Sequence, residues 1–337
     1  MIYTIREERR KNELSEPVKE DHASMESATN ETITPPTGHE KRQKKRLHIS
    51  ATMRDMLLAL VPILVFSVSY FGYRVLIITV ISVLSASFAE IIYVKLFKRS
   101  KNYIFDFSSA VTGFLLAFLL PPEVTWYYPV IGSFFAVFFV KMVFGGYGQN
   151  LVNPALAGRL LLLLLFPKAS TDLLLNGVIV DTPLTMWVSG KMDLIPSYAS
   201  CLLGVVPGFI GETSVILLVI SGIFLIWRKM LDPRISLPFF LGFALVTLLY
   251  GKAGFYPLIT SDTVLVGLFM VTDPVTAPKN KTMKWIYGGL TGLLMAVVRI
   301  LTPLTFYASS VVLLMNLIFH FLPGSAVSKR QKSLIKE

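Results

Sequence analysis

Residues 74–94 read RVLIITVISVLSASFAEIIYV, a run of 21 residues charged only at Arg74 and Glu90. At about 1.5 Å of rise per residue, a helix of this length reaches across the roughly 30 Å hydrocarbon core of a bilayer. Runs of the same kind lie at about 54–71, 105–121, 126–145, 151–166, 209–227, 235–251, 260–275, 283–300 and 303–322. The chain therefore reads as an all-α integral membrane protein with about ten transmembrane helices.

Composition agrees. Of 337 residues, 53% are hydrophobic and 16% charged, and the mean hydropathy is +0.62. A soluble chain carries about 25% charged residues. Residues 1–49 alone hold 10 Lys+Arg and 9 Asp+Glu, which leaves 22 basic and 12 acidic residues for the other 288. So few charges cannot cover a water-facing surface, and a soluble enzyme is excluded. The single Cys201 excludes an internal disulfide or an iron–sulfur cluster held by this chain alone. Three of the four histidines lie in the polar N-terminus, so no His-based metal site is expected. The formal charge of +11 marks membrane-helix ends rather than nucleic-acid binding.

Residues 1–49 lack apolar periodicity, contain Pro35-Pro36 and read as a disordered cytoplasmic tail ending in the basic cluster Lys41–Arg46. No apolar core follows their first charges, so they are not a signal peptide. The membrane domain is expected over 50–323, with a second cytoplasmic tail over 324–337. Two runs, 105–121 and 260–275, are short and end at Pro121-Pro122 and Asp273-Pro274. Each is the third of a set of five. Short, proline-interrupted segments at corresponding places point to two repeats, about 50–166 and 209–322, around a central site. Basic residues put both termini in the cytoplasm: Lys95, Lys98, Arg99 and Lys101 follow helix 2, Arg228, Lys229 and Arg234 follow helix 6, and Lys279, Lys281 and Lys284 follow helix 8. Segment 167–208 is then extracytoplasmic.

Ionisable groups at membrane depth are costly and usually face a protein interior or a water-filled path. Glu90, Asp106, Lys141, Arg159, Glu212, Asp262, Asp273 and Arg299 lie inside the runs or at their edges. Arg299 and Asp262 read as helix-end residues reaching toward the surface. Glu90 and Asp106 have apolar flanks and read as partners of a base or as lining of an ion path.

Three stretches carry chemistry. Gly145–Arg159, GGYGQNLVNPALAGR, combines glycines that permit positive φ, amide side chains that donate and accept, and a proline that keeps the preceding chain irregular. It reads either as a polar corner for a flat, polar-edged ligand or as a tight interhelical turn. Met270–Pro278, MVTDPVTAP, ends an apolar run with Asp273 placed to cap the next turn. Asn176–Leu184, NGVIVDTPL, reads alone as a turn.

From Ser50 to Leu322 the chain resembles the RnfD/NqrB family, which comprises the RnfD component of the Rnf electron-transport complex and the NqrB component of the Na⁺-translocating NADH:quinone reductase. The family signature G-G-x-G-[QK]-N-x-x-N-P-A-x-x-G-R stands here as Gly145 to Arg159 without a gap. Ser108-Ser109-Ala110-Val111-Thr112-Gly113, Leu120-Pro121-Pro122, Gly211-Glu212-Thr213-Ser214 and Thr272-Asp273-Pro274-Val275-Thr276 also match. The length favours the Rnf-like branch.

The resemblance implies electron transfer coupled to Na⁺ or H⁺ movement in a bacterial cell membrane, with the other subunits of an Rnf-type complex as partners. It implies FMN carried as a phosphoester by the threonine of an S-G-A-T-P-L motif and attached by a flavin transferase. The trailing T-P-L places that role on Thr182. Ile179, Val180 and Asp181 stand where the family has Ser-Gly-Ala, and Asn176 stands where an acid leads the motif. Branched Ile and Val crowd a bulky ring, and Asp181 sets a like charge beside the phosphate. The resemblance also implies riboflavin or another second flavin, held without a covalent bond by Asn150 and Asn153 in the loop containing Gly148. Thr182, Asn150, Asn153 and Gly148 are thus the cofactor-binding candidates, while Asp106, Glu90 and Glu212 offer carboxylates to a moving cation. Two other readings share the architecture: a solute permease or channel, and a redox-complex scaffold that has lost covalent FMN. The Gly145–Arg159 signature separates the first from the flavin reading, and in-gel fluorescence separates the second.

Overall fold

The computed structural model describes residues 38–97, 106–168, 172–212, 214–251, 255–260, 262–302 and 305–322. The chain divides into two units, residues 1–45 and 46–337, and the second holds every element after the first helix, together with that helix from Arg46 on. The tails expected over 1–49 and 324–337 lie outside the described residues, except that the chain is helical from Gly38.

The protein is mostly helical. In order come α1 (Gly38–Phe71), α2 (Arg74–Phe97), α3 (Ser108–Phe118), α4 (Tyr127–Phe135) with a π-helical continuation over Ala136–Met142, and α5 (Pro154–Leu165). A two-stranded antiparallel hairpin follows, β1 (Leu174–Leu175) and β2 (Val178–Ile179), then the short helices α6 (Pro183–Val188) and α7 (Tyr198–Leu203). The rest comprises α8 (Val215–Trp227), α9 (Pro233–Tyr250), α10 (Tyr256–Ile259), α11 (Thr263–Leu265) with a π-helical continuation over Val266–Met270, α12 (Lys281–Leu301) and α13 (Thr305–Phe321).

Among the described residues, four stretches are long and apolar enough to cross a membrane: Ile49–Phe71, Arg74–Phe97, Pro233–Tyr250 and Lys281–Leu301. Ser108–Phe118, Tyr127–Met142, Pro154–Leu165, Val215–Trp227 and Ser310–Phe321 are shorter apolar helices. The run expected over 260–275 is no single helix. It is broken into α10, α11 and the π-helical stretch, followed by the Thr272–Thr276 turn.

The distribution of polarity is that of a membrane-integrated protein. Leu249 is 78% exposed, and Leu58, Leu84 and Leu301 also face outward, whereas Arg299 is 0% exposed. In water this arrangement fails; in lipid the outer residues lose nothing and the inner charges are sheltered.

Small residues and hydroxyls join the helices, as expected where no hydrophobic force drives helix against helix. The Ser82 hydroxyl on α2 bonds Gly113 O at 2.6 Å and the Ser133 hydroxyl at 2.6 Å, tying α2 to α3 and α4. Ser221 on α8 donates to Ala59 O on α1 at 2.7 Å. Helices α9 and α12 make the most extensive pairing. There a Cβ on Gly292 would stand 2.0 Å from Phe239 O, and one on Gly288 2.3 Å from Ile235 O.

That contact predicts a graded outcome. Gly292→Val must push the α9 backbone away, a cost of about 1–3 kcal/mol or more. Gly289→Ala, whose nearest neighbour is 3.9 Å away, should be tolerated. Thermal melts of detergent-solubilised protein should rank Gly292→Val clearly below Gly289→Ala.

Candidate functional site

Three motifs far apart in sequence line one cleft. Ser108 and Thr112 come from α3, Tyr147, Asn150 and Asn153 from the Gly145–Arg159 stretch, and Thr272 and Asp273 from the turn after the second π-helix. Met53, Met56, Leu115, Leu225, Leu268 and Phe269 form the apolar walls. Apolar walls with a few convergent polar groups are the usual make-up of a small-molecule site.

The loop is shaped by its glycines. Gly145, Gly146 and Gly148 have φ of +117°, +95° and +89°, where a side chain is strained. The loop carries Asn150 inward, and the Asn150 side-chain oxygen is buried with no hydrogen-bond partner among the described residues. Asn153 differs. Its Oδ1 accepts from Ala155 N at 3.0 Å and Leu156 N at 3.3 Å, capping α5. Its own N–H donates to Asn316 Oδ1 at 3.1 Å, and Asn316 Nδ2 donates to the Tyr287 hydroxyl at 2.6 Å. Asn316 and Tyr287 therefore fix the loop from α13 and α12, a role the sequence reading missed. Asp273 does cap its turn, accepting from Val275 N at 3.1 Å and the Thr276 hydroxyl at 3.2 Å.

Both π-helical stretches border the cleft: the first carries Lys141, and the second ends just before Thr272. Such segments re-aim side chains and are frequent at functional sites. Lys141, 1% exposed, donates to the Ser108 hydroxyl at 2.5 Å and the Ser109 hydroxyl at 2.8 Å. Ser108 in turn donates to Asp106.

The chemistry of the lining can be compared with that of a flavin ring. The ring system is flat and apolar on both faces with a polar edge, and a buried amide oxygen without a partner matches an N–H on that edge.

Thr182 does not line this cleft. It caps α6, its Oγ1 accepting from Thr185 N at 3.2 Å, and it is 7% exposed. Gly177 serves the hairpin turn with φ of +75°, beside Asn176 at +52°. Glu123 clamps that turn, accepting from Asn176 N at 2.6 Å and Gly177 N at 3.1 Å. The charge expected beside a phosphate at Thr182 is answered within the chain, because Lys191 pairs with Asp181 at 2.6 Å. The Thr182 hydroxyl is engaged in the first turn of α6, and the Asp181 charge beside it is neutralised by Lys191.

The sequence profile of the NQR2, RnfD, RnfE family matches residues 39–330. The chain belongs to this family. It is 34% identical over 273 residues to the D component of the Na⁺-translocating ferredoxin:NAD⁺ oxidoreductase complex of Acetobacterium woodii, covering 79% of this chain and 86% of that one. It is 32% identical over 273 residues to the D component of the proton-translocating ferredoxin:NAD⁺ oxidoreductase complex of Clostridium ljungdahlii, covering 75% and 82%. With the B component of the Na⁺-translocating NADH-quinone reductase of Klebsiella pneumoniae it shares 31% over 252 residues, covering 66% and 61%.

This family member also holds a buried ionic cluster. Asp262, expected at a helix end, is 0% exposed and lies between two arginines. Its Oδ2 meets Arg159 Nη1 at 2.6 Å and its Oδ1 meets Arg299 Nη2. The Arg159 guanidinium lies over the Phe209 ring at 5.5 Å, and Glu212, also buried, accepts from Phe209 N at 3.2 Å. The surface placement expected for Asp262 and Arg299 is thereby corrected. Each is too far from water to reach it, and each is answered by the other.

Removing one partner of a buried pair costs about 3–5 kcal/mol, because the remaining charge is stranded. Asp262→Ala should lower the melting temperature sharply or abolish accumulation in membranes. Asp55→Ala breaks the more exposed pair with Arg228 and should cost about 1 kcal/mol or less. Equal effects of the two would contradict the assignment.

Proposed function

We propose that this chain is the flavin-bearing membrane subunit of an Rnf-type electron-transport complex coupled to the movement of a monovalent cation. The relatives' names support the complex, and they give sodium for one relative and protons for another. The proposal places the chain in the bacterial cell membrane with both termini cytoplasmic, on the strength of its basic loops. It gives the membrane domain, 50–323, about ten spans in two repeats, 50–166 and 209–322, because α2 packs on α4 as α9 packs on α12.

The observation that carries the flavin reading is the Asn150 oxygen, a buried acceptor without a partner in a cleft whose walls are apolar and whose few polar groups converge. Bound there, a flavin supplies one- or two-electron transfer. Asn150 accepts from the ring edge. Met53, Met56, Leu115 and Phe269 would cover the ring and exclude water, while Gly148 lets the loop bend and Asn153 holds it to α5 and α13. Thr182 offers a second position, as the hydroxyl that a flavin transferase esterifies with FMN once α6 has opened. Asp106, Glu90 and Glu212 are the carboxylates proposed to meet the translocated cation.

The test is flavin content of the full chain purified from cells that contain a flavin transferase. The wild type should be yellow, and Asn150→Ala should weaken the non-covalent flavin by roughly tenfold, as expected for losing one buried hydrogen bond. In denaturing gels a fluorescent band should vanish in Thr182→Val. A dark wild-type band from coloured protein removes the phosphoester and leaves the cleft flavin. Colourless wild-type protein overturns the proposal and returns the chain to the permease or scaffold readings.

A further inference from the structure

Outside the cleft, a second hollow is lined by the α8–α9 turn, the start of α9, the stretch after Thr272 and the start of α12. Going beyond the flavin reading and independent of it, we propose that this hollow holds the phosphate headgroup of an anionic phospholipid.

The lining is amphipathic. Leu231, Ile235, Ala277 and Pro278 make a buried apolar floor. Lys229, Arg234 and Lys279 belong to the same lining and are exposed. Local structure explains how they meet. Lys229 follows α8 in the left-handed region, with φ of +59°, and the N–H groups of Met230 and Leu231 both return to Leu225 O. That tight turn lets α9 begin at Pro233, capped by Asp232, whose Oδ1 accepts from Arg234 N at 3.0 Å. Lys279 arrives from a distant part of the chain, the segment that leads into α12.

Charge favours an anion. Among the described residues of the lining, four bases stand against one acid. The acid is Asp232. Its Oδ2 pairs with Lys284 Nζ at 2.6 Å, and it also attracts Arg234. One carboxylate cannot balance four cations, and a phosphate diester offsets part of the surplus. Basic residues at helix ends suffice to orient a membrane protein. Orientation alone requires no concavity, whereas these bases line one hollow from two separate segments. Basic hollows between membrane helices suit acidic lipid headgroups.

Two tryptophans set the depth and the class of ligand. Trp227 closes α8 next to Ile226 of the lining and is 74% exposed, and Trp285 follows Lys284 and is 47% exposed. Exposed indoles gather at the headgroup level of a bilayer. A phospholipid at that level sets its phosphate among the bases and its glycerol and upper acyl chain on the apolar floor, which a free phosphate leaves bare. Met230, Leu231, Thr272 and Pro274 line the cleft as well as the hollow. A lipid bound here therefore braces two turns that also wall the cleft.

The experiment titrates the purified full chain, in non-ionic detergent, with dioleoyl phosphatidylglycerol, dioleoyl phosphatidylcholine or inorganic phosphate, and reads the melting temperature. Phosphatidylglycerol should raise it, phosphatidylcholine should raise it less, and inorganic phosphate should leave it unchanged. Lys229→Gln/Arg234→Gln/Lys279→Gln should weaken the apparent affinity for phosphatidylglycerol about tenfold or more, since each base near an acidic lipid contributes several-fold. Arg54→Gln/Lys95→Gln/Lys281→Gln removes three bases that do not line the hollow and should keep the wild-type affinity. Where the first triple variant fails to fold, Lys279→Gln alone serves and should weaken the affinity about threefold or more. The proposal is overturned if both lipids shift the wild type equally, if inorganic phosphate reproduces the shift, or if the two triple variants lose affinity alike. A wild-type chain that phosphatidylglycerol does not stabilise also overturns it, whatever its flavin content.

Discussion

At membrane depth a polar atom has no water to turn to, so each must find its partner within the protein or in something the protein binds. Asp262 obeys this rule through Arg159 and Arg299. Asn153 obeys it by capping α5, and Asn316 by bridging Asn153 to Tyr287. Lys141 obeys it through two serines. The Asn150 oxygen stands apart, and it does so in the cleft where three motifs converge. Among the buried side-chain oxygens of the described residues, it is the one left for a ligand to complete.

The two buried polar centres do different work. The Asp262 cluster draws together α5, the start of α11 and the far end of α12, elements from widely separated parts of the chain. It fixes α5, whose N-terminal cap is Asn153 and whose preceding loop carries Asn150. The placement of the cleft loop therefore depends on both ends of α5: Asn316 holds the start, and Asp262 holds Arg159 further along. A site built on packed helices in this way can keep a ring in one orientation, as electron transfer between fixed partners requires.

Much of this was legible in the sequence. Apolar runs such as 74–94 announce membrane helices by length alone, and the Gly145–Arg159 stretch announces an irregular polar corner. The pairing of Asp262 with Arg159 and Arg299 was not legible, because partners 103 and 37 residues apart leave no local trace and each looked like a helix-end charge. The π-helical stretches were also hidden, since a wider turn has no compositional mark. Asn153 was assigned to a ligand, yet its oxygen serves the helix; a residue before a proline that opens a helix is a capping signal that could have been read. Thr182 shows the converse, a family position whose hydroxyl is occupied by its own helix turn.

A cryo-electron microscopy map of the chain within its native complex tests the central claim most directly. Density is expected for a three-ring ligand lying between Met53, Leu115 and Phe269, with a polar edge within hydrogen-bonding distance of Asn150 Oδ1. A cleft filled by an acyl chain, or closed by a rotated Asn150 that bonds the protein itself, would contradict it.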